Sequence, residues 1–145
     1  MTAAGDNWTA GDAYEGYMGR WSRPLARAFV TWLGSPPGAN WLEVGCGTGA
    51  LTCAICELAE PASVVACDPS ESFLIHARKA LSDDRVSFVV AGAEALPGDP
   101  GTFDWVASGL VLNFVADPAR AIGLMRERLR RGGMLAAYVW DYGDG

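Results

Sequence analysis

Three glycines, Gly45, Gly47 and Gly49, alternate through the stretch WLEVGCGTGALT, between an apolar run and a helical pattern. Glycine at such a turn permits positive φ and leaves no β-carbon between backbone and ligand, while the first N–H groups of the following helix point outward without helical partners. Three carboxylates belong with this turn: Glu43 just before it, Asp68 at the end of the next apolar run, and Glu94 after the third. Such a set can capture a nucleoside-bearing ligand, the backbone approaching one end closely and a carboxylate accepting from ribose hydroxyls. The segment GCGTGA also fits the dinucleotide fingerprint through Gly45, Gly47 and Ala50, with Asp68 about 20 residues on as the ribose acid, so the glycine pattern alone does not decide. The charges point elsewhere. Glu43 would face a pyrophosphate unfavourably and Glu94 falls close to where an adenine would rest, so the set suits a ligand with a ribose and positive groups rather than two phosphates.

The elements that must position these residues follow from hydrophobic pattern. Five apolar runs recur, NWLEVGC, SVVACD, RVSFVVAG, FDWVASG and GMLAAYVW, separated mostly by helical patterns. After the second run Ser70 is placed to cap a helix with Phe73, Leu74, Ala77 and Leu81 on one face. After the fourth, Asp117 can cap, Pro118 suits the first helical position, and Ile122, Met125 and Leu129 form a stripe; Gly132 and Gly133 are expected to stop that helix. The link GAEALPGDPGT reads as loop. Apolar runs alternating with helices indicate a parallel sheet covered on both faces, a doubly wound α/β class with five strands, the fifth over Leu135 to Trp140. Upstream, residues 1–38 read as a helical cap segment with Leu25, Ala28, Phe29 and Trp32 as packing positions, and residues 39–145 as the ligand-binding domain. Tyr14, Tyr17, Met18 and Trp21 are either a second core stripe or a flap over the sheet's carboxyl edge.

The 145-residue length fits one domain, and half the residues being hydrophobic with 19% charged describes a folded globular chain. A net charge of -6 disfavours nucleic acid as partner, because phosphate binding needs clustered Lys and Arg, which gather only at Arg126 to Arg131. No apolar run has the length of a membrane span and the first residues lack a secretory pattern, so neither membrane nor export is expected and the expected location is the cytoplasm. Cys46, Cys53, Cys56 and Cys67 read as structural reduced thiols; Cys53-x-x-Cys56 has no second pair or nearby His to complete a zinc set, and no metal site is expected.

The ordered set LEVGCGTG, VVACDPS, AGAEALP, FDWVASGLVLNFV and LRRGGMLAAYVW resembles the class I S-adenosylmethionine-dependent methyltransferases, particularly the branch of ubiquinone and menaquinone methyltransferase-like proteins. The opening YMGRWSR is also similar to a bacterial subgroup of that branch, and the likeness runs from Tyr14 to Trp140. It implies a Rossmann-like fold, S-adenosylmethionine as cofactor and a small-molecule methyl acceptor. By position, it implies that Glu43, Gly45, Cys46, Gly47 and Gly49 surround the methionine end and that Asp68 takes the ribose hydroxyls. Pro69 and Ser70 would flank the adenine, and Ala93 and Glu94 would contact its edge. Ser108, Leu110 and Asn113 would line the methionine and the methyl exit, while Tyr17, Met18 and Arg20 would close over the cofactor. Asp68 is expected to face the cleft, so that its removal leaves fold stability little changed.

Two departures from that family pattern stand out. Where the family usually carries a glycine-aspartate pair, this sequence has Ala91 and Gly92, leaving Glu94 or a backbone carbonyl to meet the adenine amino group. The usual antiparallel strand pair after the fifth strand is also lacking, so an uncovered fifth-strand edge is expected to favour a homodimer or a shortened chain. His76, the only histidine, falls mid-helix away from the expected methyl site, and no catalytic base is assigned. A nicotinamide-dependent oxidoreductase and a non-catalytic S-adenosylmethionine-binding protein or fragment are the competing readings.

Overall fold

The computed structural model describes residues 20–141. Helix α1 covers 20–33. It is followed by β1 (Asn40–Val44), α2 (Ala50–Leu58), β2 (Ser63–Asp68), α3 (Glu71–Ala80), β3 (Val86–Val90), β4 (Phe103–Gly109), a 3-10 turn (Leu112–Phe114), α4 (Pro118–Arg128) and β5 (Leu129–Tyr138). The five strands pair in the order β3-β2-β1-β4-β5, all parallel. This is the doubly wound α/β arrangement that the alternating pattern predicts. Strand order reverses direction between β1 and β4, and it is outside the carboxyl ends at such a switch point that ligands bind in open α/β sheets.

Neighbouring residues on a strand face opposite sides, which divides the core in two. Trp41, Val64, Ala66, Trp105 and Ala107 pack with α1, α2 and α3 on one face, through Ala26, Phe29, Val30, Leu51, Ala54, Ile55 and Leu74. Leu42, Val44, Cys67 and Val106 pack on the other with Ala121 and Met125 of α4 and with Ala93 and Leu96 of the β3–β4 loop. Each large apolar side chain so buried contributes roughly 1.5–3 kcal/mol. The loop expected over GAEALPGDPGT is found as a loop, and its Leu96 does the covering that a helix would otherwise do.

Local signals act as read. Ser70 caps α3, its Oγ accepting from Phe73 N–H at 3.2 Å, and Asp117 Oδ1 accepts from Arg120 N–H at 3.0 Å with Pro118 opening α4. Four expectations are corrected. The α4 helix ends at Arg128 rather than at Gly132, because Leu129 already pairs with Phe103 of β4. The fifth strand therefore begins at Leu129 and ends at Tyr138, with an irregularity between the Phe103–Leu129 and Trp105–Met134 pairs that absorbs Gly132 at φ 81°. Arg130 in this bulge pairs with Asp104. Along α1 the buried positions are Ser22, Ala26, Phe29 and Val30, whereas Leu25 and Ala28 are exposed and Trp32 is 78% exposed. On α4, Ala121 and Met125 are buried while Ile122 is exposed.

Candidate cofactor site

A cavity of about 640 Å3 opens at the carboxyl ends of the strands. Its floor is the turn from β1 into α2, built as the three glycines require: Gly45, Gly47 and Gly49 have φ of 75°, 54° and 98°. Gly45 and Cys46 N–H both donate to Cys67 O, at 2.8 and 2.9 Å, tying the turn to the end of β2. A β-carbon at Gly45 would stand 2.8 Å from Val111 Cγ1, so this glycine is needed both for its backbone angle and for the close approach of the loop after β4. Gly49 opens α2 without any side-chain cap.

Asp68 ends β2 beside the turn and is only 7% exposed. Its Oδ2 accepts from Gly47 N–H at 3.0 Å and its Oδ1 from Ser70 N–H at 2.8 Å. The carboxylate thus joins the glycine turn to the start of α3, which corrects the expectation that its removal would leave fold stability little changed. Each oxygen still has a second lone pair for a ligand hydroxyl. Burial raises the Asp68 pKa against the lowering effect of these two N–H groups.

Glu43 on β1 is 1% exposed, and its Oε1 accepts from Thr52 Oγ1 at 2.5 Å. Burial lifts its pKa to about 7 despite Thr52, with the Asp68 charge adding to the rise. A cation entering the cavity would meet an acid poised to ionise. The thiols are not reactive groups in this setting. All four are free, and burial, before any neighbouring charge, raises them, Cys56 and Cys67 up to about 12 and Cys46 further.

Of the residues picked from sequence, Glu43, Gly45, Cys46, Gly47, Asp68, Pro69, Ala93, Glu94 and Leu110 line the cavity together. Gly49 and Ser70 are not among the lining residues and are the N-caps of α2 and α3. Ser108 is wholly buried with an unpartnered hydroxyl. Asn113 holds the chain after β5, its Nδ2 donating to Trp140 O at 2.9 Å and its Oδ1 accepting from Trp140 N–H at 3.3 Å. Arg20 is exposed, its guanidinium 5.9 Å from the Trp21 ring centre. Tyr17 and Met18 lie outside the described residues. His76 sits on α3 away from the cavity lining.

Lining residues not picked include Ser22, Phe73, Val111 and Tyr138. Phe73 had a usable signal, since it follows the Ser70 cap and so lies in the first turn of α3, at the sheet's carboxyl edge. Tyr138 did not: its phenol fills the space a β-carbon at Gly109 would take, with its ring 4.5 Å from that of Phe29, and only the β4–β5 register brings these together.

A parallel sheet in this order, with a glycine turn on its first strand and an acid at the end of its second, defines the Rossmann-like class of nucleoside-cofactor domains. Within that class, residues 42–137 match the model of the methyltransferase domain family, and the chain belongs to that family. Its sequence is 39% identical over 103 residues to the ubiquinone/menaquinone biosynthesis C-methyltransferase UbiE of Hahella chejuensis, covering 68% of this chain and 41% of that protein. Among solved structures, a chain of the Haloferax volcanii complex between the Trm112 methyltransferase activator and a methyltransferase superposes with a TM-score of 0.81 at 24% identity, covering 92% of this chain and 59% of that one. An S-adenosylmethionine-dependent methyltransferase from Mesorhizobium loti superposes with a TM-score of 0.65 at 29% identity, covering 77% and 50%. The chain spans less than half the length of the UbiE relative it matches.

Proposed function

We propose that this chain binds S-adenosylmethionine in the cavity and transfers its methyl group to a small-molecule acceptor. The observation that carries the reading is the charge of the wall: among the described lining residues are Glu43, Asp68 and Glu94 but no Lys or Arg. A dinucleotide brings two phosphates, which such a wall repels; an ammonium and a sulfonium are attracted to it. The residues fit the cofactor part by part. Asp68 would accept from the ribose hydroxyls with its remaining lone pairs, and Glu43 would face the ammonium. The backbone at Gly45 and Gly47 would lie against the amino-acid tail, Pro69 and Phe73 against the adenine, and Ala93 and Glu94 at its edge. A carboxylate oxygen of Glu94 lies 3.1 Å from where a β-carbon at Gly92 would stand, so Glu94 reaches back over the position that carries the adenine acid in the resemblance.

When bound, the cofactor supplies a methyl carbon activated by its sulfonium. The chain's own contribution is to hold that cofactor in one orientation and to exclude water from it with the apolar side chains Leu110, Val111, Phe114 and Val115, which line the cavity after β4. The resemblance gives the segment 1–38 the role of a cap; Tyr17 and Met18 lie outside the described residues and Arg20 lies outside the cavity lining, so the described part of that cap that reaches the cavity is Ser22. We also infer self-association along β5, whose outer edge pairs with no strand among the described residues and whose Met134 is 54% exposed. No described helix is long and apolar enough to cross a membrane; free, inert thiols support a cytoplasmic setting.

Calorimetry with S-adenosylhomocysteine and NAD tests the cofactor reading: the first should bind and NAD should not, and NAD bound at least as tightly would overturn it. Turnover with labelled S-adenosylmethionine against a panel of small acceptors then separates a transferase from a protein that only binds.

A further inference from the structure

Four buried side-chain polar atoms among the described residues lack a hydrogen-bond partner: Ser22 Oγ, Ser35 Oγ, Trp41 Nε1 and Ser108 Oγ. Only Ser22 belongs to a residue that lines the cavity. It is 3% exposed and comes from α1, not from the sheet's loops. Buried hydroxyls are nearly always paired, so an orphan at a cavity wall marks a place where a ligand atom would complete the bond.

The fold fixes which part of a ligand that would be. Helix α1 lies over β1, β4 and β5, since Phe29 and Val30 pack with Trp41 and Trp105 and the Phe29 ring meets that of Tyr138. Ser22 lies two helical turns before Phe29 on the same side, while Asp68 ends β2 on the other half of the cavity. With the ribose at Asp68, the portion of the cofactor that reaches the β1–β4 side is its amino-acid tail. That tail carries an ammonium, for which Glu43 is the acceptor, and a carboxylate, which three lining carboxylates repel and which therefore needs a donor. Thr52 is committed to Glu43, and Thr48 and Tyr138 are engaged with neighbours. Arg20 is outside the lining, against Trp21.

Resting on the cofactor reading above, we propose that Ser22 is a binding residue whose hydroxyl donates to the carboxylate of the cofactor's amino-acid tail, making α1 part of the cofactor site rather than packing alone. The test compares Ser22→Ala and Ser22→Cys with the parent by calorimetry. S-adenosylhomocysteine carries the tail; 5′-methylthioadenosine keeps the nucleoside and sulfur but lacks it. Both substitutions should weaken S-adenosylhomocysteine about tenfold, with 5′-methylthioadenosine unchanged within about twofold. Because no protein bond is lost, the ligand-free variants should melt at or above the parent temperature. Equal weakening of the two ligands, no weakening of either, or variants that melt lower or do not fold would each overturn the proposal. A parent that binds 5′-methylthioadenosine while Ser22→Ala has no effect refutes Ser22 alone; a parent that binds neither ligand refutes the cofactor reading and the proposal with it.

Discussion

Replacing Glu43 by Gln should make the protein more stable at neutral pH while making it a poorer binder. The side chain is fully enclosed and its folded-state pKa, about 7, lies above the ordinary value of 4.5. A folded-state pKa raised in this way means that the stability associated with Glu43 is fully present below pH 4.5 and is lost as the pH rises through about 7. At roughly 1.4 kcal/mol per pH unit, that interval amounts to about 3 kcal/mol. Gln has nearly the same shape, can accept from Thr52 through its carbonyl oxygen, and has no charge to desolvate. The difference in unfolding free energy between Glu43→Gln and the parent should therefore grow by about 3 kcal/mol in favour of the variant between pH 4.5 and pH 8. Urea titrations at closely spaced pH values measure this directly. Binding supplies an independent signature: an ammonium selects the ionised acid, so at pH 6 the parent should release up to about one proton per S-adenosylhomocysteine bound, and the variant none. Calorimetry in buffers of different ionisation enthalpy reads that number. A stability difference that stays flat from pH 4.5 to 8 would refute the reasoning, because it would mean that Glu43 does not titrate in that range.

Asp68→Ala should weaken S-adenosylhomocysteine by roughly 10- to 150-fold, as loss of a charge-assisted partner costs about 1.5–3 kcal/mol; unchanged affinity would remove the ribose assignment. Asp68→Asn should also lower stability, by about 1.5–3 kcal/mol in urea unfolding, since the amide nitrogen must then face the Gly47 or the Ser70 N–H. Gly45→Ala forces an alanine to φ 75° against Val111 and should cost roughly 2–5 kcal/mol, with Val111→Ala recovering only the steric part; a Gly45→Ala protein as stable as the parent would show that the turn adapts. Lys at the exposed position Ala137 on β5 should shift the mass seen by light scattering toward monomer, and a parent that is monomeric at high concentration would dispose of edge association.

Where sequence reasoning held, the deciding interactions were short-range. The Ser70 and Asp117 caps, the Pro118 start and the glycine turn are each written within a few residues, and the alternating apolar runs left little choice of fold class. It failed where two local solutions were equally good. Helix α1 carries two helical stripes, Ser22, Ala26, Phe29 and Val30, and Trp21, Leu25, Ala28 and Trp32. The packing positions read from sequence, Leu25, Ala28, Phe29 and Trp32, fall mostly on the bulkier stripe and only Phe29 of them is buried; the sheet surface beneath is already filled by Trp41 and Trp105, and the smaller stripe is the one that faces it. The end of α4 is illegible for a related reason: Arg130 and Arg131 continue a good helical pattern, but pairing with β4, a contact far away in sequence, draws the chain out from Leu129. The cavity was legible along β1, β2 and β3, where motif and strand end coincide. It was not legible on the α1 and β5 side, where Ser22 and Tyr138 enter only through packing.

The ring planes of Trp41 and Trp105 lie 5.0 Å apart between centroids and only 13° from parallel, on directly paired residues of β1 and β4. Two indoles held this way are coupled chromophores, so their near-ultraviolet circular dichroism should form a paired band belonging to neither alone. Trp21 and Trp32, at 61% and 78% exposure, add fluorescence from wet surroundings but little to that band. The centre of the sheet thus carries its own optical signal, one that reports whether β1 and β4 are in register at the switch point without any label being attached.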